Sequence, residues 1–148
     1  MRFYLSARYS RGDELREVRE RLQSLGHEVA SRWLDTTWTE SDAHGSAAAP
    51  PEMCEEHAIA DLEDVLACDS LVAFTNGERG RGGRHVEYGA ALATGKQIVV
   101  IGPREHIFHH HPAVKVFATL DAFLAHLEGS HVEAITRGIA DDLGSGET

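Results

Sequence analysis

The segment Gly82-Gly83-Arg84-His85-Val86-Glu87-Tyr88-Gly89 joins a glycine turn, a helix start and one carboxylate within a few positions. Apolar runs flank it on both sides. Ser70-Leu71-Val72-Ala73-Phe74-Thr75 reads as a buried strand before the turn, and Gln97-Ile98-Val99-Val100-Ile101-Gly102 as another after the helix. In such a unit the loop lies at the carboxyl end of a parallel strand, where backbone N–H groups and the helix N-terminus favour an anionic or polyhydroxylated ligand. Glu87 is expected in the first turn of the helix, facing the crevice. Taken alone, an acid there also fits an ordinary favourable contact with the helix macrodipole.

Other residues that bear chemistry point elsewhere less strongly. His109, His110 and His111 are adjacent in a loop that also holds His106. Adjacent side chains do not converge on one ion as pairs at i and i+4 do, so no metal site is expected. His85 reads as a polar contact beside the glycine turn. Trp33 and Trp38 suit either stacking on a base or packing. Cys54 and Cys68 are too few for a disulfide framework and are not spaced as C-x-x-C, so they read as reduced thiols in a cytoplasmic protein. With 24 acidic residues against 14 basic ones, a net charge of −10 disfavours nucleic acid polymers and anionic membranes. No long uncharged apolar run or cleavable leader is evident, so neither a membrane span nor secretion is expected. The expected partner is a small molecule.

The elements that must position these residues follow from periodicity. Arg2 to Ala7 is a β-prone run, and Leu15, Val18, Leu22 and Leu25 then recur at helical spacing up to a stop at Gly26. His27 to Trp33 reads as a second strand. Leu34 to Pro51 has no period and reads as a long binding loop or lid. Ile59, Leu62, Val65 and Leu66 mark a helix between Glu52 and Cys68. Val114 to Thr119 reads as a last strand, Leu120 to Leu127 begins a last helix, and the tail from Asp141 reads as frayed. Alternation of this kind predicts one α/β domain over residues 1–148, a doubly wound, mainly parallel sheet of about five strands flanked by helices, flavodoxin- or Rossmann-like.

Three stretches in this order resemble the nucleoside 2-deoxyribosyltransferase family, including its relatives that hydrolyse the N-glycosidic bond of nucleoside monophosphates. They are Phe3-Tyr4-Leu5-Ser6-Ala7, the run from Asp61 to Asp69, and the run from Val86 to Lys96. The resemblance covers most of residues 3 to 102. It implies an enzyme that needs no cofactor and cleaves the bond between a (2-deoxy)ribose C1′ and a base nitrogen. Glu87 corresponds to the nucleophile, able to stabilise the oxocarbenium character of C1′ and form a glycosyl intermediate. Asp61, 26 positions earlier, corresponds to the aspartate that assists protonation of the leaving base. Tyr4 corresponds to the aromatic residue that orients the glutamate, and Ser6 on the same strand is expected to bind substrate. Asp69 reads as structural.

One departure from the family bears on substrate. Six positions before the nucleophile, where transferases acting on free nucleosides have an aspartate and monophosphate hydrolases a serine, this chain has Arg81. Arg81, Arg79, Arg84 and Arg8 suit charge-assisted contacts with a phosphate beside Gly82 and Gly83, which favours a nucleoside 5′-monophosphate. Deoxyribosyl transfer between bases stays open as an alternative, since only the group that resolves the glycosyl enzyme differs. The loop with His109 and His111 resembles in position the segment through which family members reach a neighbouring subunit's site, implying a homodimer or larger homo-oligomer with a shared active site. A non-catalytic nucleotide sensor is the competitor from another class. The Pro-Gly-Gly-x-Gly-Thr-x-x-Glu motif of lysine-decarboxylase-like phosphoribohydrolases is only partly matched, without its Pro and Gly-Thr.

Overall fold

The computed structural model describes residues 1–36, 50–77 and 82–144. Its elements are β1 (Arg2–Ser6), α1 (Gly12–Ser24), β2 (Glu28–Val29), α2 (Pro51–Ala67), β3 (Ser70–Phe74), α3 (Gly83–Ala93), β4 (Gln97–Ile101), β5 (Val114–Phe117) and α4 (Leu120–Gly144). The five strands lie in the order β2-β1-β3-β4-β5, and every pairing is parallel. The chain runs outward from β1 to β2, then crosses back to β3 on the other side of β1. Between β1 and β3 the sheet therefore has a switch point, where crossovers depart in opposite directions and leave a crevice at the carboxyl ends of the strands. β3 is buried along its whole length, which is why its sequence is continuously apolar rather than alternating.

The second strand is shorter than its β-prone run of residues, with only Glu28 and Val29 on the ladder. Beyond Ala30, whose N–H still reaches Phe3 O at 2.8 Å, side chains take over from backbone. Ser31 Oγ accepts the Leu5 N–H at 2.7 Å, and the Trp33 indole N–H donates to Leu5 O at 2.9 Å. With β1 satisfied in this way, the backbone is released into a 3₁₀ turn over Arg32–Asp35. Trp33 is consequently a core residue, 5% exposed.

The face that α2 presents inward is not its apolar one. Val65 is buried, yet Ile59, Leu62 and Leu66 are 51%, 38% and 51% exposed, while Asp64 is buried and Cys54, His57 and Asp61 are half-buried. Besides the core residue Val65, an ion pair to the partly exposed Arg32 ties this face down. Asp64 accepts both the Arg32 N–H and the Arg32 Nε–H at 2.8 Å, and the same guanidinium reaches Ala60 O and Glu63. Cys54 and Cys68 are free thiols. α4 buries Phe123 and Leu124, leaves Val132 and Ile135 exposed, and runs to Gly144, past Asp141 where fraying was expected. Among the described residues no helix is long and apolar enough to cross a membrane. Trp38, Arg79, Arg81 and most of the expected Leu34–Pro51 loop lie outside the described residues.

Gly102 closes the carboxyl end of β4 at φ +119°, and a Cβ there would lie 2.6 Å from both Asn76 N and Thr75 Oγ1. Backbone strain and a backbone clash coincide, so Gly102→Ala is expected to cost about 2–3 kcal/mol. The check is a lower urea midpoint with an unchanged m-value.

Candidate active site

Period-2 geometry sends Tyr4 and Ser6 to the same face of β1, and both are fully buried. Across the switch point they meet one carboxylate. Tyr4 Oη donates to Glu87 Oε1 at 3.0 Å, and Ser6 Oγ donates to Glu87 Oε2 at 2.6 Å. Glu87 comes from α3, which opens after Gly82. That residue adopts the left-handed conformation (φ +104°, ψ −18°), which suits glycine and turns the chain abruptly into the helix.

Because α3 starts at Gly83, its first turn holds no acid, and Glu87 lies in the second turn rather than the first. The difference matters physically. The macrodipole acts within the first turn, so it does not explain a half-buried glutamate whose two oxygens are bound by another strand.

Asp61 stands on the inward face of α2. Its Oδ2 faces the hydroxyl of Tyr9 at 3.5 Å, and its Oδ1 is buried with no hydrogen-bond partner among the described residues. Both carboxyls are harder to ionise than usual. Burial pushes Glu87 up to about 7, helped by the charge of Asp61 and opposed by the bonds from Ser6 and Tyr4. Burial likewise pushes Asp61 up to about 6, helped by Asp64 and opposed by Tyr9 and Arg32. Burial, together with the two carboxylates, raises Tyr4 well above the ordinary tyrosine range, so it remains a phenol that donates. Tyr9 is raised for the same reasons. A pair of carboxyls that titrates near neutrality in a crevice is equipped for proton transfer and nucleophilic attack.

The remaining residues singled out from the sequence are scattered in their roles. Arg8 is half-buried in the connection leaving β1, one residue before Tyr9. Gly83 has open space around it. Arg84 is engaged by Glu105 at 2.8 Å in a pair with both side chains about nine-tenths buried. His109, only 3% exposed, accepts the Glu105 N–H on Nδ1 at 2.9 Å and packs against His106 and Tyr88. Burial first, and then the neighbouring His106, lowers His109 to about 4, so it is neutral and built into its own chain's loop. His111 is exposed, with Nδ1 accepting the Ala113 N–H. Asp69 accepts the Arg2 N–H at 2.7 Å and ties the entry of β3 to β1. Among the described residues no group of three or more His, Cys, Asp or Glu is arranged to hold a metal ion. Tyr9 and Arg32 are neighbours of Asp61 that spacing did not single out as functional; Tyr9 lies in the polar turn after the first strand, and Arg32 in the run read as the second strand.

No protein-family model and no curated protein matches this sequence. Solved structures match the fold. A CMP N-glycosidase of Clostridium botulinum is similar at a TM-score of 0.57 and 20% identity, over 86% of this chain and 98% of that one. A 2-deoxyribosyltransferase of the psychrotolerant bacterium Bacillus psychrosaccharolyticus is similar at 0.64 and 18%, over 86% and 96%. A conserved protein of Enterococcus faecalis V583 is similar at 0.56 and 18%, over 88% and 98%. The chain has the fold of these proteins, which is the fold that its motif order resembles.

Glu87 carries a stability consequence whose sign is set by its raised pKa. Between about 4.5 and 7 the folded chain binds more protons at Glu87 than the unfolded chain does, so this contribution to stability is lost as pH rises through about 7. Glu87→Gln is therefore expected to be more stable than the unsubstituted chain at pH 8, by on the order of 2 kcal/mol. Thermal melts at pH 8 and pH 4.5 check this, the difference vanishing at the lower pH.

Proposed function

We propose that this chain cleaves the N-glycosidic bond of a nucleoside or deoxynucleoside 5′-monophosphate, releasing free base and sugar phosphate. The observation that carries the reading is a half-buried glutamate held through both oxygens by Tyr4 and Ser6 at the switch point, with Asp61 electrostatically coupled to it. Glu87 attacks C1′ as the bond to the base nitrogen breaks, and Asp61 gives the departing base its proton. Water then attacks C1′, passes its proton to Asp61 and frees Glu87. Tyr4 and Ser6 keep the nucleophile in place and disperse its charge. A second base in place of water would give deoxyribosyl transfer instead.

Chemistry needs Glu87 ionised and Asp61 protonated, and burial raises both carboxyls into the range where either can hold the proton near neutrality. A base nitrogen that accepts from Asp61 stabilises its protonated form and shifts the pair towards that arrangement. The neighbouring fold of a CMP N-glycosidase and the basic residues Arg8 and Arg81 favour a phosphorylated substrate. Arg84 is a weaker candidate for that contact because Glu105 already neutralises it.

Assembly into a homo-oligomer belongs to the same proposal. Ile59, Leu62 and Leu66 of α2 and Val86 of the adjoining α3 lie on the outside as exposed apolar side chains, and a second copy of this chain is a partner suited to cover them. Leu66→Glu is expected to sediment as a monomer where the unsubstituted chain sediments as a dimer or larger.

For the reaction, the expected outcome is base release from at least one member of a panel of ribo- and deoxyribonucleosides and their monophosphates. The rate should be bell-shaped in pH, with its optimum between about 6 and 7. Glu87→Ala should lower kcat at least about 1000-fold, as expected when a nucleophile is lost. Undiminished turnover in that variant would sink the mechanism, and base exchange on adding a second free base would mark a transferase.

A further inference from the structure

Tyr9 lies in a one-turn 3₁₀ segment, Tyr9–Arg11, between β1 and α1. Its ring packs edge-on against Trp33, with centroids 5.3 Å apart and planes at 79°. Trp33 is itself anchored on β1 through its indole N–H to Leu5 O. The adjacent Arg32 grips α2 at Asp64, three residues from Asp61. Tyr9 and Asp61 are therefore located by two neighbouring residues of one short turn, and their approach at 3.5 Å is a product of the core rather than of two loose surface chains. That separation is long for an O–H···O bond, in the range that catalytic hydrogen bonds occupy before substrate tightens them.

We propose that Tyr9 is the positioning residue of Asp61, donating to Oδ2 and so fixing the orientation of the carboxyl that gives the leaving base its proton. A carboxylic acid has one proton and two oxygens. An O–H on Oδ2 would oppose the Tyr9 donor, so the contact holds the carboxyl in place with Oδ2 as acceptor. The phenol stays protonated at any pH at which the pair titrates, since both carboxylates and burial raise Tyr9 above its ordinary range. This inference rests on the reading of Asp61 as the proton donor.

Tyr9→Phe removes the hydroxyl and keeps the ring on Trp33. Two measurements decide the matter. In the carboxyl ¹³C NMR titration of Asp61, loss of a donor that favours the ionised form is expected to move the midpoint upward by about half a pH unit or more. In steady-state base release with the best monophosphate of the panel, kcat is expected to fall about tenfold while KM stays within about twofold. An unmoved Asp61 titration overturns the proposal even if activity falls, because a merely structural role for Tyr9 predicts that result. Unchanged kcat overturns it as well. If the unsubstituted chain releases no base from any substrate, the glycosidase reading fails by itself, and the Asp61 titration still decides whether Tyr9 holds that carboxyl.

Discussion

Burying a carboxylate is costly unless its oxygens are bound, and the organisation of this protein turns on how that cost is met for Glu87. One donor comes from Tyr4 and one from Ser6, both on β1, which borders the switch point between β1 and β3. The compensation is incomplete, since loss of water still outweighs the two bonds and Glu87 titrates near 7. Incomplete compensation is useful chemically. A fully satisfied carboxylate would be a poor nucleophile and a fully unsatisfied one would stay protonated.

The partner carboxyl is held by different means. α2 contributes Val65 to the core and adds the bonds from Arg32 to Asp64, while Trp33 beside it is fastened to β1. Two consecutive residues thus relate the helix carrying Asp61 to the strand carrying Tyr4 and Ser6. The arrangement also frees the outer face of α2 to be apolar, a distribution that suits contact with another copy. Asp64 inward and Ile59, Leu62 and Leu66 outward, beside exposed Glu55, Glu56 and Glu63, depart from an ordinary surface helix.

Much of this was legible beforehand, for reasons that differ between elements. β3 and β4 are continuously apolar because both of their faces are covered, so their positions stand out from any local reading. The glycine turn before Glu87 was equally visible, since only glycine accommodates the backbone at Gly82 without strain. β2 was legible only in part. Ser31 and Trp33 have β-prone character, yet both spend their polar groups on Leu5 and so end the ladder they were expected to extend. Within this chain His109 is a buried acceptor for the Glu105 N–H, a role that adjacency in sequence does not signal.

By itself, the order of apolar runs and turns determined an α/β chain of alternating strands and helices, and placed Glu87 after a glycine turn at the carboxyl end of a strand. Those are local properties, set by periodicity and backbone sterics. Only the tertiary structure decided which groups meet Glu87, that Tyr9 faces Asp61, that Arg84 is already paired with Glu105, and which side of α2 looks inward. Helical spacing specifies that residues share a face but not which face the core takes. That choice depends on partners such as Arg32 and Tyr4, which lie tens of residues away in sequence and come close only when the parallel strands cross at the switch point.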